Sequence, residues 1–290
     1  MLKMFASNNS TMEKDLEYIE SIRKAASFIR VNTLKTSVDE FSINKELELE
    51  KTQIPFMFKV KNGIPGKTLA FKTGLIHTQS LSSAVVPLAF GKFNPEDVVL
   101  DVAASPGSKL TEICMLLDNK GIAVANDQEE RIPALMANIA RLGCANTIIT
   151  QLDGKNLGLK DQFDKVLLDA PCTALGSHAY AWERIDEKSL ALMPDIQKKM
   201  IKSSFEAMKP GGILVYSTCT TTQQENEEVV NYLLKNNENA RLEDIGLDLP
   251  HEQGFAFGDF SDEIKKKTWR IHPKHLDSEG FFIAKIRKLE

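Results

Sequence analysis

Two cysteines and an aspartate stand where a folded chain would present them to a ligand. The run "FDKVLLDAPCTALGS" ends an apolar stretch at Asp169 and reaches Cys172 soon after, and "GGILVYSTC" ends another such stretch at Cys219. Thiolate is the reactive form of cysteine and a strong nucleophile near neutral pH. A carboxylate beside two thiols can support covalent chemistry. One sulfur adds to an electron-poor carbon, the acid offsets the charge that builds, and the second sulfur helps the adduct break down. Apolar filler is the competing role for each cysteine taken singly, and Cys114 and Cys144 fit it, because "LTEICMLL" and "NIARLGC" are helical patterns. No CxxC pair or closely spaced histidine pair accompanies the four cysteines, so no metal site is expected.

The elements that must hold these residues alternate. "DVVLDVA" is a short β-branched run, followed by the turn "ASPGSK" and the helical "LTEICMLLD". Strand "GIAVAND", helix "QEERIPALMANIARLG", and strands "NTIITQLD" and "FDKVLLDA" come next. Helix "EKSLALMPDIQKKMIKSSFEAM", strand "GGILVYST", helix "ENEEVVNYLLKN" and strand "GFFIAKIRK" complete the pattern. Strands alternating with helices mean an α/β fold with a largely parallel sheet. Before this comes a stretch over about residues 1–75 that mixes a helical start, the strand-like "FIRVNTLK", an acidic helix and a turn-rich segment. We therefore expect an N-terminal α+β extension over 1–75 and a main domain over 76–290. In an open parallel sheet ligands collect at the carboxyl ends of the strands, and Asp101, Asp127, Asp153, Asp169 and Cys219 all fall at such ends.

The turn in "VVLDVAASPGSKLTEI" is neither a G-x-G-x-x-G fingerprint nor a phosphate loop, although its small residues and following helix N-terminus suit a ligand bearing negative charge. Asp127 closes the next strand, where a carboxylate can accept from both hydroxyls of a ribose; capping the next helix is its alternative role. A ribose with no pyrophosphate site points to S-adenosylmethionine. A nicotinamide-dependent dehydrogenase shares the strand–helix pattern but would need the glycine fingerprint.

Carbon 5 of a pyrimidine takes a methyl group once a thiolate has added to carbon 6, and a base must then remove the carbon 5 proton. Asp169, Cys172 and Cys219 beside a methyl donor form a complete set for that reaction. The residues themselves leave open which thiol is the nucleophile, and a non-catalytic RNA-binding scaffold of the same fold remains a rival.

These pieces resemble the Sun/RsmB family of RNA cytosine-5 methyltransferases. The likeness is carried by "FIRVNTLK", "HTQSLSSAVVPLAF", "LDVAASPGSK", "AVANDQEERIPALMANIARLG", "DAPCTALGS", "YSTCTTTQQENEEVV" and "EGFFIAKI". The resemblance implies a Rossmann-like class I methyltransferase, with a mostly parallel seven-stranded sheet flanked by helices. It implies Cys219 as nucleophile, Cys172 in release, Asp169 on the target cytosine and Lys109 positioning base and acid. It further implies that the methyl donor lies over Ala103, Ala104, Ser105, Pro106, Gly107, Ser108 and Lys109, close to Asp169, with Asp127 on the ribose, Arg131 nearby and Asp153 toward the adenine. Ser105 and Ser108 depart from the usual Ala-Ala-Pro-Gly-Gly-Lys turn, and Thr173-Ala174 replaces the usual Ser-Gly after the cysteine.

The net charge is −4, so bulk electrostatics do not draw this chain to nucleic acid. RNA contact is expected from local basic groups: Arg23, Lys24, Arg30 and Lys35, and the run "KKKTWRIHPKH". The target atom is inaccessible in a stacked helix, so the cytosine must be flipped or unpaired. By size and family analogy we expect tRNA rather than rRNA as substrate, and a cytoplasmic monomer without a membrane span or secretory signal.

Overall fold

The computed structural model describes residues 9–41 and 46–290 of the protein. Strands β1 (Phe28–Val31), β2 (Glu48–Lys51), β3 (Met57–Asn62) and β4 (Ile76–Thr78) form a small antiparallel sheet in the order β2-β3-β1-β4. This sheet reaches Thr78, beyond the boundary expected at residue 75, because β4 pairs with β1 through Ile29↔Thr78. Among the described residues the acidic stretch expected to be helical is so over Val38–Phe41, and "ELEK" forms β2 instead. Its period-two alternation and its pairing with β3 outweigh the helix preference of Glu and Lys.

The large sheet contains β5 (Val98–Asp101), β6 (Ile122–Asn126), β7 (Thr147–Thr150), β8 (Phe163–Asp169), β9 (Met208–Thr218), β10 (Ala240–Glu243), β11 (Glu252–Gln253), β12 (Trp269–Ile271) and β13 (Phe281–Lys288). Its order is β11-β12-β13-β9-β8-β5-β6-β7, with β10 also paired to β13. Strands β5 to β9 run parallel, and β13 lies antiparallel to β9. Six of these strands, β5 to β9 and β13, are those read from the sequence, and β10 completes the seven-stranded sheet that the resemblance implies. The short β11 and β12 extend it, and runs of two and three residues carry too little periodicity to be read beforehand.

Successive residues of a strand face opposite sides, and the core follows that rule. Leu100, Leu168 and Tyr216 pack with Phe205 and Leu233 from helices Glu187–Ala207 and Glu227–Asn236. Their neighbours Val99, Leu167 and Val215 pack on the other face with Val85 and Ile113, from helices Leu81–Leu88 and Ser108–Leu116. A sheet covered on both faces explains why β8 is nearly continuously apolar. Truncating a buried leucine such as Leu168 to alanine costs about 2–5 kcal/mol.

From β5 the chain winds outward through β6 to β7, whereas β8 and β9 lie on β5's other side. The order thus reverses between β5 and β8, and an open α/β sheet binds ligands at such a point. Asp101 and Asp169 end the two strands that flank it. The N-terminal helix Asn9–Lys24 covers the loop after β8, with Ile19 packing against Leu175 and Trp182. Among the described residues no helix is long and apolar enough to cross a membrane.

Candidate active site

The register of β8 and β9 builds the centre of the site. Asp169 lies opposite Ser217, whose hydroxyl donates to its Oδ1 at 2.7 Å. Lys109, in the first turn of helix Ser108–Leu116, donates to Oδ2 at 2.6 Å and sits 4.9 Å from the centre of the Phe281 ring. Burial pulls the Lys109 ammonium down, but Asp169 beside it outweighs that effect and the net shift is upward. Lys109 is therefore charged, and each Asp169 oxygen keeps a lone pair for another donor.

Two loops bring the sulfurs together. The Sγ atoms of Cys172 and Cys219 lie 3.3 Å apart. A hydrogen bond from the Cys172 thiol holds Cys219 below the ordinary thiol range, with Ser177 and Lys109 assisting against burial. The same hydrogen bond, burial and the Cys219 and Glu225 charges push Cys172 far up. Cys219 is thus the more acidic thiol of the pair and Cys172 the less acidic. Cys114 and Cys144 are buried elsewhere.

The loop carrying Cys172 is held by residues that the sequence reading did not single out. Glu225 is wholly buried. Its carboxylate accepts from the Thr173 amide at 3.0 Å, the Thr173 hydroxyl at 2.5 Å, Gln197 at 2.9 Å and Thr222 at 2.8 Å. Gln197 also donates to the Pro171 carbonyl at 2.8 Å. Past the cysteine, the Gly176 amide donates to the Cys219 carbonyl at 2.8 Å, and a Cβ at Gly176 would lie 2.9 Å from that oxygen. Only glycine lets the two loops approach this closely. Ala174, which stands where glycine is usual, has φ 56°.

Two adjoining cavities meet at Ala103 and Arg131. One, of about 470 Å³, is lined by Asp101, Ala104, Ser105, Pro106, Ser108, Lys109, Asp169 and Cys219. The other, of about 280 Å³, is lined by Asn126, Asp127, Leu152 and Asp153. Asp127 is nearly buried and accepts from the Ser105 amide at 2.7 Å and the Gln128 amide at 2.8 Å. Asp153 is exposed and pairs with Lys155 at 3.5 Å. Arg131 donates to the Ser105 carbonyl at 2.6 Å and accepts the Ser105 hydroxyl at its own carbonyl, so the Ser105 hydroxyl is already engaged within the protein. Gly107 lines neither cavity; with φ 105° it makes the turn that starts the helix.

Asp101 was read only as a strand end, yet it is the most telling residue of the cavity. It is buried, and its Oδ1 has no hydrogen-bond partner. Burial and the Asp169 charge push its carboxyl up to about 8. A buried oxygen without a donor fits a ligand that brings one, such as the ammonium of S-adenosylmethionine.

The expected RNA contacts divide. Arg30 cannot touch RNA: it is fully buried, donating to Gln79 at 2.6 Å, the Ser108 carbonyl at 2.7 Å and Thr111 at 2.7 Å, with Glu112 3.6 Å away. The small sheet packs onto helix Ser108–Leu116 and turns a presumed surface charge into an internal clasp. Lys35 is exposed but donates to the carbonyls of Thr73 and Arg141, while Arg23 and Lys24 sit in exposed ion pairs. In the C-terminal run Trp269 and Ile271 are buried in β12 and Arg270 is held by Glu227, leaving Lys265, Lys266 and Lys274 on the surface.

The family described as 16S rRNA methyltransferase RsmB/F matches residues 90–287. The chain is 37% identical over 274 residues to the tRNA (cytosine(49)-C(5))-methyltransferase of Pyrococcus abyssi, covering 90% of this chain and 87% of that protein. It is 37% identical over 309 residues to the ribosomal RNA small subunit methyltransferase F of Vibrio atlanticus, covering 96% of this chain but 64% of that longer protein. Among solved structures, NSun6 from Pyrococcus horikoshii with SFG, an S-adenosylmethionine analogue, aligns with a TM-score of 0.84 at 25% identity, over 97% of this chain and 95% of that one. A methyltransferase homologue from Pyrococcus horikoshii aligns with a TM-score of 0.82 at 30% identity, over 99% and 97%. With the switch-point cleft and the paired thiols, these likenesses place the chain in the RsmB/F family of S-adenosylmethionine-dependent RNA methyltransferases.

Proposed function

We propose that this protein methylates carbon 5 of a cytosine in tRNA, with Cys219 as the nucleophile and Cys172 as the residue of release. The observation that carries the reading is the 3.3 Å contact between the two sulfurs beside the Lys109–Asp169 pair. Support for tRNA is the Pyrococcus abyssi relative, most of whose length this chain matches.

The Cys219 thiolate adds to carbon 6 of the flipped cytosine. Asp169, its charge offset by Lys109, hydrogen-bonds the base and supports a proton at the ring nitrogen. Carbon 5 thereby becomes an enamine carbon able to attack an electrophile. Bound S-adenosylmethionine supplies that electrophile, a methyl group on a sulfonium. Asp101 would hold its amino group, and Asp127 would take the ribose hydroxyls in the second cavity. Once the Cys219 sulfur is bonded to carbon, Cys172 no longer faces a thiolate and gives its proton to solvent. As a thiolate it takes the proton from carbon 5, the ring double bond re-forms, and Cys219 leaves with its electron pair. Cys172 then again donates to Cys219, as in the free enzyme, and one proton has been released per turnover.

Bisulfite sequencing of tRNA and rRNA incubated with the purified protein and S-adenosylmethionine tests the assignment. A protected cytosine in tRNA is expected. Protection only in rRNA would overturn the substrate, and protection in neither would overturn the activity.

A further inference from the structure

Ser108 stands where the family's turn carries glycine, and its surroundings fix what its hydroxyl can do. Arg141 donates through Nη2 to Nδ1 of His77 at 2.8 Å. A guanidinium has no acceptor, so Nδ1 is the bare nitrogen and Nε2 carries the hydrogen. His77 is buried, and burial together with Arg30 and Arg141 lowers it to about 3, so the ring stays neutral and keeps this tautomer. Nε2 therefore donates to Ser108 Oγ, 2.8 Å away. Arg141 itself cannot swing aside: it also donates to the Phe71 and Ile76 carbonyls and to Asn138.

The consequence is a serine whose oxygen already accepts from His77 and whose own O–H has no acceptor among the described residues. Ser108 lines the 470 Å³ cavity at the start of helix Ser108–Leu116, where exposed amides also favour negative charge. The same cavity holds the opposite defect, the buried Asp101 Oδ1 with no donor. A serine O–H without an acceptor, and a buried carboxyl that gives up its proton when an ammonium meets its unpartnered oxygen, match the two ends of an amino-acid zwitterion.

We infer that Ser108, oriented through His77 by Arg141, anchors the carboxylate of the methyl donor's amino-acid end, with Asp101 as the counterpart for its ammonium. The inference rests on the cavity being the S-adenosylmethionine site. It makes His77 and Arg141 positioning residues, and it turns the departure from glycine into a chain-specific contact with the cofactor.

Calorimetry with S-adenosylhomocysteine and with its decarboxylated analogue, which keeps the amine, separates the parts. Ser108→Ala is expected to weaken the first by about tenfold, as for a hydrogen bond to a charged group, and to leave the second unchanged. His77→Phe, which keeps a ring but loses the donor, is expected to weaken S-adenosylhomocysteine less, and to add nothing in the Ser108→Ala background. Equal losses for both ligands, or no loss for either, would overturn the inference while leaving the cofactor reading intact. A wild-type protein that binds neither ligand would remove both.

Discussion

Glu225 and Thr173 are joined twice, the carboxylate accepting from both the amide and the hydroxyl of the threonine at 3.0 and 2.5 Å. This clasp ties the loop that carries Cys172 to the segment after Cys219, so the contact between the sulfurs depends on a residue that touches neither substrate nor cofactor. Replacing Glu225 with glutamine keeps the shape but turns one acceptor oxygen into a donor facing other donors. We expect a stability loss of about 1–3 kcal/mol in chemical denaturation. We also expect covalent enzyme–RNA adduct to build up, because misplacing Cys172 impairs release more than attack. A variant that loses stability but releases adduct at the wild-type rate would assign Glu225 to folding alone.

Arg30 and Glu112 are both fully buried, 3.6 Å apart. Removing one partner leaves the other uncompensated, at a cost of about 3–5 kcal/mol. Arg30→Met should lower the melting temperature by about 6 °C or more. Adding Glu112→Leu should recover most of the loss, since an apolar pair no longer buries charge. Melting curves of the two variants check this, and an Arg30→Met protein as stable as the wild type would contradict the clasp.

Asp101 carries a pH signature. Its carboxyl rises from an ordinary 3.8 to about 8 on folding, through burial and the Asp169 charge. Between those values the folded state holds more protons than the unfolded chain, so stability falls as pH rises from about 4 to about 8 and then levels. Asp101→Asn should therefore melt higher than the wild type, with a gap that widens from pH 5 to pH 8. A gap that stays constant over that range would show that Asp101 is already charged in the folded protein.

Much of the site was legible because strand ends are legible. Asp169, Cys172 and Cys219 follow apolar runs, and parallel strands deliver such residues to one edge. Less legible were groups whose role depends on what packs against them. "FIRV" does not reveal that Arg30 faces inward, because its partners lie on helix Ser108–Leu116 and the small sheet must dock there first. Glu225 lies in a polar run, "TTTQQENEE", that resembles solvated surface until Thr173 and Gln197 close over it. The unpaired oxygen of Asp101 arises only when β5 and β8 meet and water is excluded.

Single replacement of each cysteine by alanine, followed by trapping on RNA containing 5-azacytosine, bears most directly on the division of labour between the two sulfurs. The account predicts no covalent complex with Cys219→Ala and a persistent one with Cys172→Ala. A complex that forms with Cys219→Ala and is absent with Cys172→Ala would reverse the roles and contradict it.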